Sequence, residues 1–147
     1  MNTDATVSVE SFEQRHISQA RALWQRSEGV GLSAADEPDA LAAYLARNPG
    51  LSCVAVHGEH VVGTVLCGHD GRRGFIHHLV VAPAQQRKGI GRQLLHRGLA
   101  ALREAGIEKC HLLVFKSNEP GRAFWHSVGA EERSHLSLFS LSTENVA

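Results

Sequence analysis

The sequence has few of the features that mark secreted, redox or membrane proteins. Three cysteines occur among 147 residues, an odd number without Cys-x-x-Cys spacing, so we do not expect a disulfide framework. No apolar run approaches the roughly 20 residues that span a bilayer. The polar start, Met1 to Asp4, lacks the basic and apolar regions of a signal peptide. We therefore expect a soluble cytoplasmic protein.

The sequence also lacks an excess of charge. Fifteen lysine and arginine residues balance fifteen aspartate and glutamate residues, so no global field favours nucleic acid or an anionic membrane. We expect neither as a partner. Repeats, linkers and low-complexity segments are absent as well, and a chain of this length buries about 70% of the surface that its unfolded form exposes. The sequence therefore predicts a single domain, residues 1–147.

Hydrophobic periodicity predicts a mixed α/β fold that begins β-α-α. Thr6–Val9 is typical of a short strand. Ser11–Gln14 has the form of a capping box that begins the first helix, and Pro38 fits the first turn of a second helix. A hairpin follows, in which a two-residue turn joins the strands Leu51–His57 and Val61–Cys67.

The second half of the chain extends the same sheet. Phe75–Val81 predicts a third strand of the meander, and a helical stripe begins at Ile90. The next apolar strand, Cys110–Phe115, should pair parallel to Phe75–Val81 through a right-handed crossover. Asn118 then caps a short helix, and alternating leucines up to Leu141 predict a last strand. The expected order is β-α-α-β-β-β-α-β-α-β.

A basic loop that contains glycine, Gln86–Gly91, lies between the third meander strand and the helix after it. Amide groups and the positive end of the helix dipole meet there, and Gly89 and Gly91 remove the Cβ atoms that would keep a phosphate away. The loop predicts a pyrophosphate site, with a plain tight turn as the alternative. A P-loop is excluded because Arg92 follows Gly91, and a dinucleotide fingerprint because Leu94 replaces its third glycine.

Two motifs of this sequence carry a family resemblance. One, Gln/Arg-x-x-Gly-x-Gly/Ala after a strand, is matched by Gln86, Gly89 and Gly91. The other, an asparagine before a short helix with an aromatic pair and then a glycine, is matched by Asn118, Phe124, Trp125 and Gly129. With these motifs the chain resembles the GNAT superfamily of N-acetyltransferases over about residues 6–141. The resemblance implies an acetyl-CoA-dependent enzyme whose two central parallel strands splay apart.

The resemblance also implies where the cofactor binds. The pantetheine arm would lie between the splayed strands, held by backbone groups of Leu79 and Val81, with the Val81 N–H as a one-donor oxyanion hole. Asn118 should contact the pantetheine, and the alternative is a role as helix cap alone, which is compatible with that contact. The cofactor-binding residues implied in this way are Leu79, Val80, Val81, Gln86, Arg87, Lys88, Gly89, Ile90, Gly91, Arg92, Asn118, Arg122 and Trp125.

Acetyl transfer to an amine needs a neutral nucleophile, and a histidine suits the removal of its proton near neutral pH. Strand alternation puts His77 on the same side as Leu79 and Val81, and His78 on the other side. His77 also falls where the arylalkylamine acetyltransferases, a branch of the family it resembles, carry a histidine implicated in deprotonation. We predict His77 as the base, directly or through water. A packed histidine or one that only contacts the acceptor is the alternative.

The departing thiolate should take a proton, and the family usually supplies it from a tyrosine where Trp125 stands. An indole N–H is too weak an acid for this task. Water, His126 and Ser117 are candidates, as is Tyr44, the only tyrosine of the chain, which we predict as a catalytic residue. The alternative for Tyr44 is a half-buried ring on the second helix.

The resemblance implies a small-molecule or peptide amine as acceptor, most simply a primary amine. One alternative is a protein N-terminal or lysine acetyltransferase, although Leu113 stands where bacterial ribosomal-protein acetyltransferases carry a glutamate. Another is a non-catalytic acyl-CoA-binding regulatory module. The chain after Gly129 is short for two strands, so Glu131–Leu141 is predicted to pair in a homodimer, or the sheet to be one strand short. We predict no metal site, because the histidines near the hairpin turn have no carboxylate or cysteine nearby to complete a set of ligands.

Overall fold

The computed structural model describes residues 6–144 and divides the chain into two compact units, the first ending at Phe115 and the second beginning at Lys116. The helices and strands of the first unit are β1 (Val7–Ser11), α1 (Ile17–Gln25), α2 (Pro38–Arg47), β2 (Cys53–His57), β3 (His60–His69), β4 (Gly74–Val81), α3 (Ile90–Glu104) and β5 (Cys110–Leu112). The second unit contains α4 (Glu119–Ser127). Up to α4 this order confirms the predicted one.

The five strands form one mixed sheet in the order β1-β2-β3-β4-β5. Neighbours from β1 to β4 are antiparallel, as expected for strands joined by short turns. β5 pairs parallel to β4, because α3 returns the chain to the same end of the sheet. The predicted parallel pairing of these two strands is therefore confirmed.

β4 and β5 stay paired over only part of their length. The parallel register joins Gly74 to Cys110 and ends where Ile76 meets Leu112, whereas β4 continues to Val81. Beyond Ile76, the side of β4 that faces away from β3 is therefore not covered by β5. This open edge, residues 77–81 of β4, is the predicted splay of the central strands.

Helices cover the two faces of the sheet. Trp24 of α1 donates a hydrogen bond to the buried Thr64 of β3 at 2.9 Å, within an apolar cluster to which α1 and α2 both contribute. Cys67, three residues further along β3, points to the opposite face, where α3 packs. The core thus lies in two layers, one on each side of β3. No helix within residues 6–144 has the length and apolar character needed to cross a membrane.

The start of α1 differs from the prediction. Ser11 does not cap the helix, because it belongs to β1 and pairs with Cys53. A short turn of 3-10 helix follows, in which the N–H of Glu13 donates to His16 Nδ1 at 2.9 Å, and α1 begins at Ile17. Pairing within the sheet has therefore overridden a local capping signal.

The predicted last strand does not form within the described residues. The segment Glu131–Leu141 contains no strand, and its apolar side chains are exposed, 60% for Leu136 and 72% for Leu138. Alternating leucines favour a strand only when a neighbouring strand offers its backbone groups. In residues 128–144 the structure contains no such neighbour.

Gly98 allows α3 to lie very close to β3. A Cβ atom at this position would come within 2.6 Å of Cys67 Sγ, deep in the core. We expect Gly98→Ala to destabilise the fold by about 1–3 kcal/mol through overpacking, although alanine favours a helix by about 1 kcal/mol over glycine. Urea unfolding measures the change.

A double-mutant cycle identifies the cause. In a Cys67→Ala background the clashing sulfur is gone, so Gly98→Ala should become neutral or stabilising. An equal loss of stability in both backgrounds would show that the contact with Cys67 is not the reason.

Candidate functional site

A β-bulge interrupts β4 at His78. The register shifts between Thr64 and Leu66 of β3, which face Val80 and His77 respectively, and His78 adopts a positive φ of 49°. An extra residue in one strand changes which face the following side chains point to. The rule of strand alternation used to separate the two histidines therefore does not hold here.

The bulge brings both histidines to the face covered by α1 and α2. The His77 ring lies 6.4 Å from that of Tyr44 on α2, and the His78 ring lies 4.6 Å from that of Trp24 on α1. Val80 packs against the same apolar cluster, so Leu79 and Val81 point to the opposite face. The prediction that His77 shares a side with Leu79 and Val81 is therefore wrong, and its cause is the bulge.

A chain of buried hydrogen bonds holds the bulge. Trp24 Nε1 donates to Thr64 Oγ1 at 2.9 Å, and Thr64 Oγ1 donates to the carbonyl of His78 at 2.7 Å. Thr64 is fully buried, so water does not compete for these bonds. They stabilise a backbone conformation that costs a non-glycine residue about 1–2 kcal/mol.

The side chain of His78 forms a close pair with Asp36. His78 Nε2 lies 2.7 Å from Asp36 Oδ1, and the two side chains are 14% and 11% exposed. Asp36 is itself fixed, because its Oδ2 accepts the N–H of Ser33 at 2.9 Å in a capping box. The pattern Ser-x-x-Asp was a visible signal for this box, but nothing local indicated a partner 42 residues away.

His77 occupies a different environment from His78. It lies at the surface, where its ring stacks on Phe75 at 6.4 Å and meets Tyr44 edge-on. Partial burial and then the neighbouring His78 lower the pKa of His77, while Asp36 opposes them. The lowered pKa favours the neutral ring of His77, the form that accepts a proton.

Tyr44 is placed as a packing residue. Its hydroxyl oxygen is buried and has no hydrogen-bond partner among the described residues. A Cβ atom built on Gly68 would come within 2.6 Å of this hydroxyl oxygen. Burial, and secondarily the neighbouring Cys67, raise the pKa of Tyr44. This position supports the half-buried ring that was the alternative, and the role of Tyr44 as an acid stays a prediction.

The end of β4 presents its backbone to the open edge. The N–H of Ala82 donates to the carbonyl of Val62 on β3 at 2.8 Å, so by antiparallel alternation Val81 turns its own N–H and C=O away from β3. Gln86 Nε2 donates to the Val81 carbonyl at 2.9 Å. The side chain of Gln86 thus ties the loop to the strand and leaves the Val81 N–H pointing to the open edge.

The loop after β4 has the backbone of an anion site. Arg87 and Gly89 have positive φ values of 65° and 81°, and Gly89 is the N-cap of α3, whose first hydrogen bond runs from Gln93 N–H to the Gly89 carbonyl at 3.1 Å. Nothing lies within 4 Å of a Cβ built on Gly89. The open space beside Gly89 thus adjoins the first turn of α3, whose amides have no partner within the helix and form its positive end.

The loop has one buried apolar side chain and two exposed positive ones. Ile90 is buried and holds the start of α3 against the sheet, while Arg87 and Lys88 are exposed. Gly91 and Arg92 follow in the first turn of the helix. The loop thus combines a backbone anchored at Ile90 with the exposed positive side chains of Arg87 and Lys88, which suits a phosphate group.

The second unit contains the remaining predicted residues. Asn118 caps α4, since its Oδ1 accepts the N–H of Gly121 at 3.0 Å, which confirms the cap. Arg122 pairs with Glu132 at 2.8 Å and lowers the pKa of that carboxyl. Trp125 packs edge-on against its neighbour Phe124 at 5.2 Å. Cofactor contacts by Asn118, Arg122 and Trp125 stay predictions.

A cavity of about 250 Å³ adjoins Asp36, the partner of His78. It lies between α1 and the connection that leads to α2, and Trp24 and Asp36, both in contact with His78, form part of its wall. The residues that line it are Arg21, Trp24, Gln25, Leu32, Ser33, Asp36 and Glu37.

Comparison with known proteins gives concordant similarities. The acetyltransferase (GNAT) family matches residues 17–130. An acetyltransferase of Photorhabdus laumondii is 30% identical over 132 residues, which cover 90% of this chain and 92% of that protein. The PaiA N-acetyltransferase of Thermoplasma acidophilum, solved with coenzyme A, has a TM-score of 0.71 at 18% identity, covering 84% of this chain and 89% of that one. The ribosomal-protein-S18-alanine N-acetyltransferase of Escherichia coli has a TM-score of 0.68 at 21% identity, covering 84% and 77%.

The hydroxyl of Thr64 should be worth more to the fold than its methyl group. Thr64→Val keeps the shape but leaves the Trp24 N–H and the His78 carbonyl unpaired, which should cost about 1–3 kcal/mol. Thr64→Ser keeps the hydroxyl and is the matched control. Urea unfolding followed by tryptophan fluorescence compares the two variants. A larger loss for serine than for valine would contradict the hydrogen-bond chain.

Proposed function

The chain belongs to the acetyltransferase (GNAT) family, and from that premise we propose that it transfers the acetyl group of acetyl-CoA to a primary amine by direct attack within a ternary complex. One observation carries the proposal. The open edge of β4 ends directly beside a loop whose backbone amides face open space at the N-terminus of α3. A strand edge and an anion site in that order suit a ligand with an amide-bearing arm and a pyrophosphate.

The residues of the first unit fit this ligand in two places. The backbone of Leu79, Val80 and Val81 would hold the pantetheine arm along the open edge of β4. The loop Gln86–Arg92 would hold the pyrophosphate through its amides and its positive side chains. The positive φ of Gly89 and the empty space beside it support this fit.

When bound, acetyl-CoA supplies an acetyl thioester. The N–H of Val81 would donate to the thioester carbonyl oxygen and stabilise the negative charge that develops there. A neutral amine is needed for attack, so one histidine of β4 would remove a proton from the acceptor. His77 stays the residue predicted from the sequence for this step, and its lowered pKa supports a neutral ring at pH 7.

Water is the simplest proton source for the departing thiolate. The hydroxyl of Tyr44 is buried, and its raised pKa makes it a weaker acid. Trp125 has no acidic proton of use at this pH. Since a thiolate is a tolerable leaving group, the reaction does not depend on a dedicated side-chain acid.

The acceptor would bind on the α1–α2 side of the sheet. The cavity there is about 250 Å³, just below the range of about 300–1,000 Å³ for ligand pockets, which supports a small amine. The Escherichia coli neighbour, named for a ribosomal protein, keeps a protein N-terminus or lysine as the second candidate. A non-catalytic acyl-CoA-binding module is the third.

The family match supports one acetyltransferase domain for residues 1–147, because residues 17–130 extend across the boundary between the two units. A homodimer through Glu131–Leu141 also stays a proposal. The exposed apolar side chains of that segment support it, and the mass of the protein in solution tests it.

An amine panel separates the three candidates. We expect acetyl-CoA with tyramine or spermidine to release free thiol above the rate without amine. Turnover restricted to a tripeptide with a free N-terminus, or to Nα-acetyl-lysine amide, would favour a protein acceptor instead. Thermal stabilisation by coenzyme A without thiol release from any amine would indicate a binding module and overturn the proposed activity.

Gly89 and Gly106 provide a matched test of the loop. Both lie at ends of α3 with positive φ, 81° and 86°, and nothing lies within 4 Å of a Cβ built on either. Substitution by alanine should therefore destabilise the protein by a similar amount at both positions, about 1–2 kcal/mol. Only Gly89→Ala should also weaken coenzyme A binding, by about tenfold or more, measured by calorimetry. Equal affinities for the two variants would refute the pyrophosphate site.

A further inference from the structure

His78, the neighbour of the histidine predicted as the base, has the surroundings of a base whose ring is oriented by a carboxylate. His78 Nε2 contacts Asp36 Oδ1 at 2.7 Å, and both side chains are largely shielded from water. The carboxylate is fixed in turn by the N–H of Ser33. Such a pair sets the orientation of the ring and the nitrogen that carries its proton.

We propose that His78, positioned by Asp36, removes the proton from the acceptor ammonium, an inference that rests on the proposed amine acetyltransferase activity. With Nε2–H donated to Asp36, the lone pair of Nδ1 is left to accept the proton. The imidazolium formed is then stabilised by the adjacent carboxylate, as a carboxylate stabilises the histidine of a hydrolase triad.

The location of the pair agrees with this role. Trp24 and Asp36, which both contact the His78 ring, also form part of the wall of the 250 Å³ cavity. The bulge lies on the same strand as Val81, three residues before the N–H that points to the open edge of β4. The histidine thus contacts two residues of the cavity that would take the acceptor, and it shares a strand with the edge that would take the acetyl donor.

His77 lacks the corresponding support. Its ring makes contacts with Phe75 and Tyr44, but no hydrogen bond within residues 6–144 orients either of its nitrogens. Burial and the neighbouring His78 lower the pKa of His77, so its ring takes up a proton less readily than an ordinary histidine.

The proposed reaction balances as follows. An N–H bond of the ammonium breaks and its proton moves to His78 Nδ1. The freed electron pair forms the C–N bond to the acetyl carbon, and the C–S bond breaks with its electrons on sulfur. A second N–H proton neutralises the thiolate, directly or through water, and His78 returns the first proton to solvent. The products are the amide, coenzyme A as the free thiol, and one proton.

Two titratable groups lie beside the His78 ring: Asp36 contacts it at 2.7 Å, and the His77 ring is 6.5 Å away. Beyond them, Arg21 of α1 donates to the Asp36 carbonyl at 2.9 Å. Arg21 pairs with Glu37 at 3.3 Å, so Asp36 is the negative charge in direct contact with the ring. An adjacent carboxylate stabilises a positive charge that forms on the ring, so loss of that carboxylate charge should slow the removal of the proton.

The test is the pH dependence of kcat/KM for the best primary amine of the panel above. His78→Gln should lower the rate at pH 7 by about 100-fold or more. The remaining activity of this variant should rise only near the pKa of the amine, where the amine loses its proton without a catalytic base. Asp36→Asn keeps the shape of the side chain but removes its charge, and should lower kcat/KM at pH 7 without weakening coenzyme A binding. A loss of structure alone would reduce the rate at every pH and leave both limbs in place.

Matched controls and an independent folding check complete the experiment. His60→Gln and Asp39→Asn change exposed residues of the same types and should leave the profile unchanged. Far-UV circular dichroism and coenzyme A affinity verify that the variants fold. If His77→Gln removes the acidic limb while His78→Gln keeps it, the base is His77 and the inference is wrong. Absence of turnover by the wild-type protein with every amine would instead refute the proposed function, and this base role with it.

Discussion

The hydrogen bond from the fully buried Thr64 to the carbonyl of His78, 2.7 Å long, is the constraint on which the candidate site depends. It holds a histidine at a positive φ in the middle of a strand, a conformation that an isolated strand would abandon. Trp24 secures the bond from the other side and covers the ring of the same histidine. Without this support β4 would regain regular alternation, and His78 would turn away from α1.

The bulge connects the two halves of the proposed reaction. On the side of β5, the strand leaves its backbone uncovered from residue 77 to Val81, where an extended ligand arm fits. On the side of α1 and α2, two histidine rings lie 6.5 Å apart at the surface and just beneath it. A single irregularity in one strand thus presents backbone donors at an edge and titratable rings on a face.

Sequence patterns predicted those parts of the molecule that depend on neighbouring residues. The Gln86–Gly91 loop, the hairpin and the parallel crossover follow from local spacing and from the need to return the chain through a helix. The bulge was not predictable in this way, because it is a mismatch between β4 and β3. The Asp36 partner was hidden for the same reason, since the Ser33 to Asp36 capping pattern says nothing about β4. Ser11 and the alternating leucines up to Leu141 show the opposite failure. There a local pattern was present, and the availability of a neighbouring strand decided the outcome.

The spacing of the contacts that build the site has a consequence for the order in which the chain folds. Trp24 and Thr64 are 40 residues apart, and Asp36 and His78 are 42 apart, so each contact closes a long loop whose entropy must be lost before the contact forms. The hairpin of β2 and β3 is local and needs no such closure. During synthesis α1 and α2 must therefore wait for β4 to emerge before their inner faces are completed. We expect the site to be among the last features of the first unit to form. A complete site therefore indicates that β4 has paired correctly with β3.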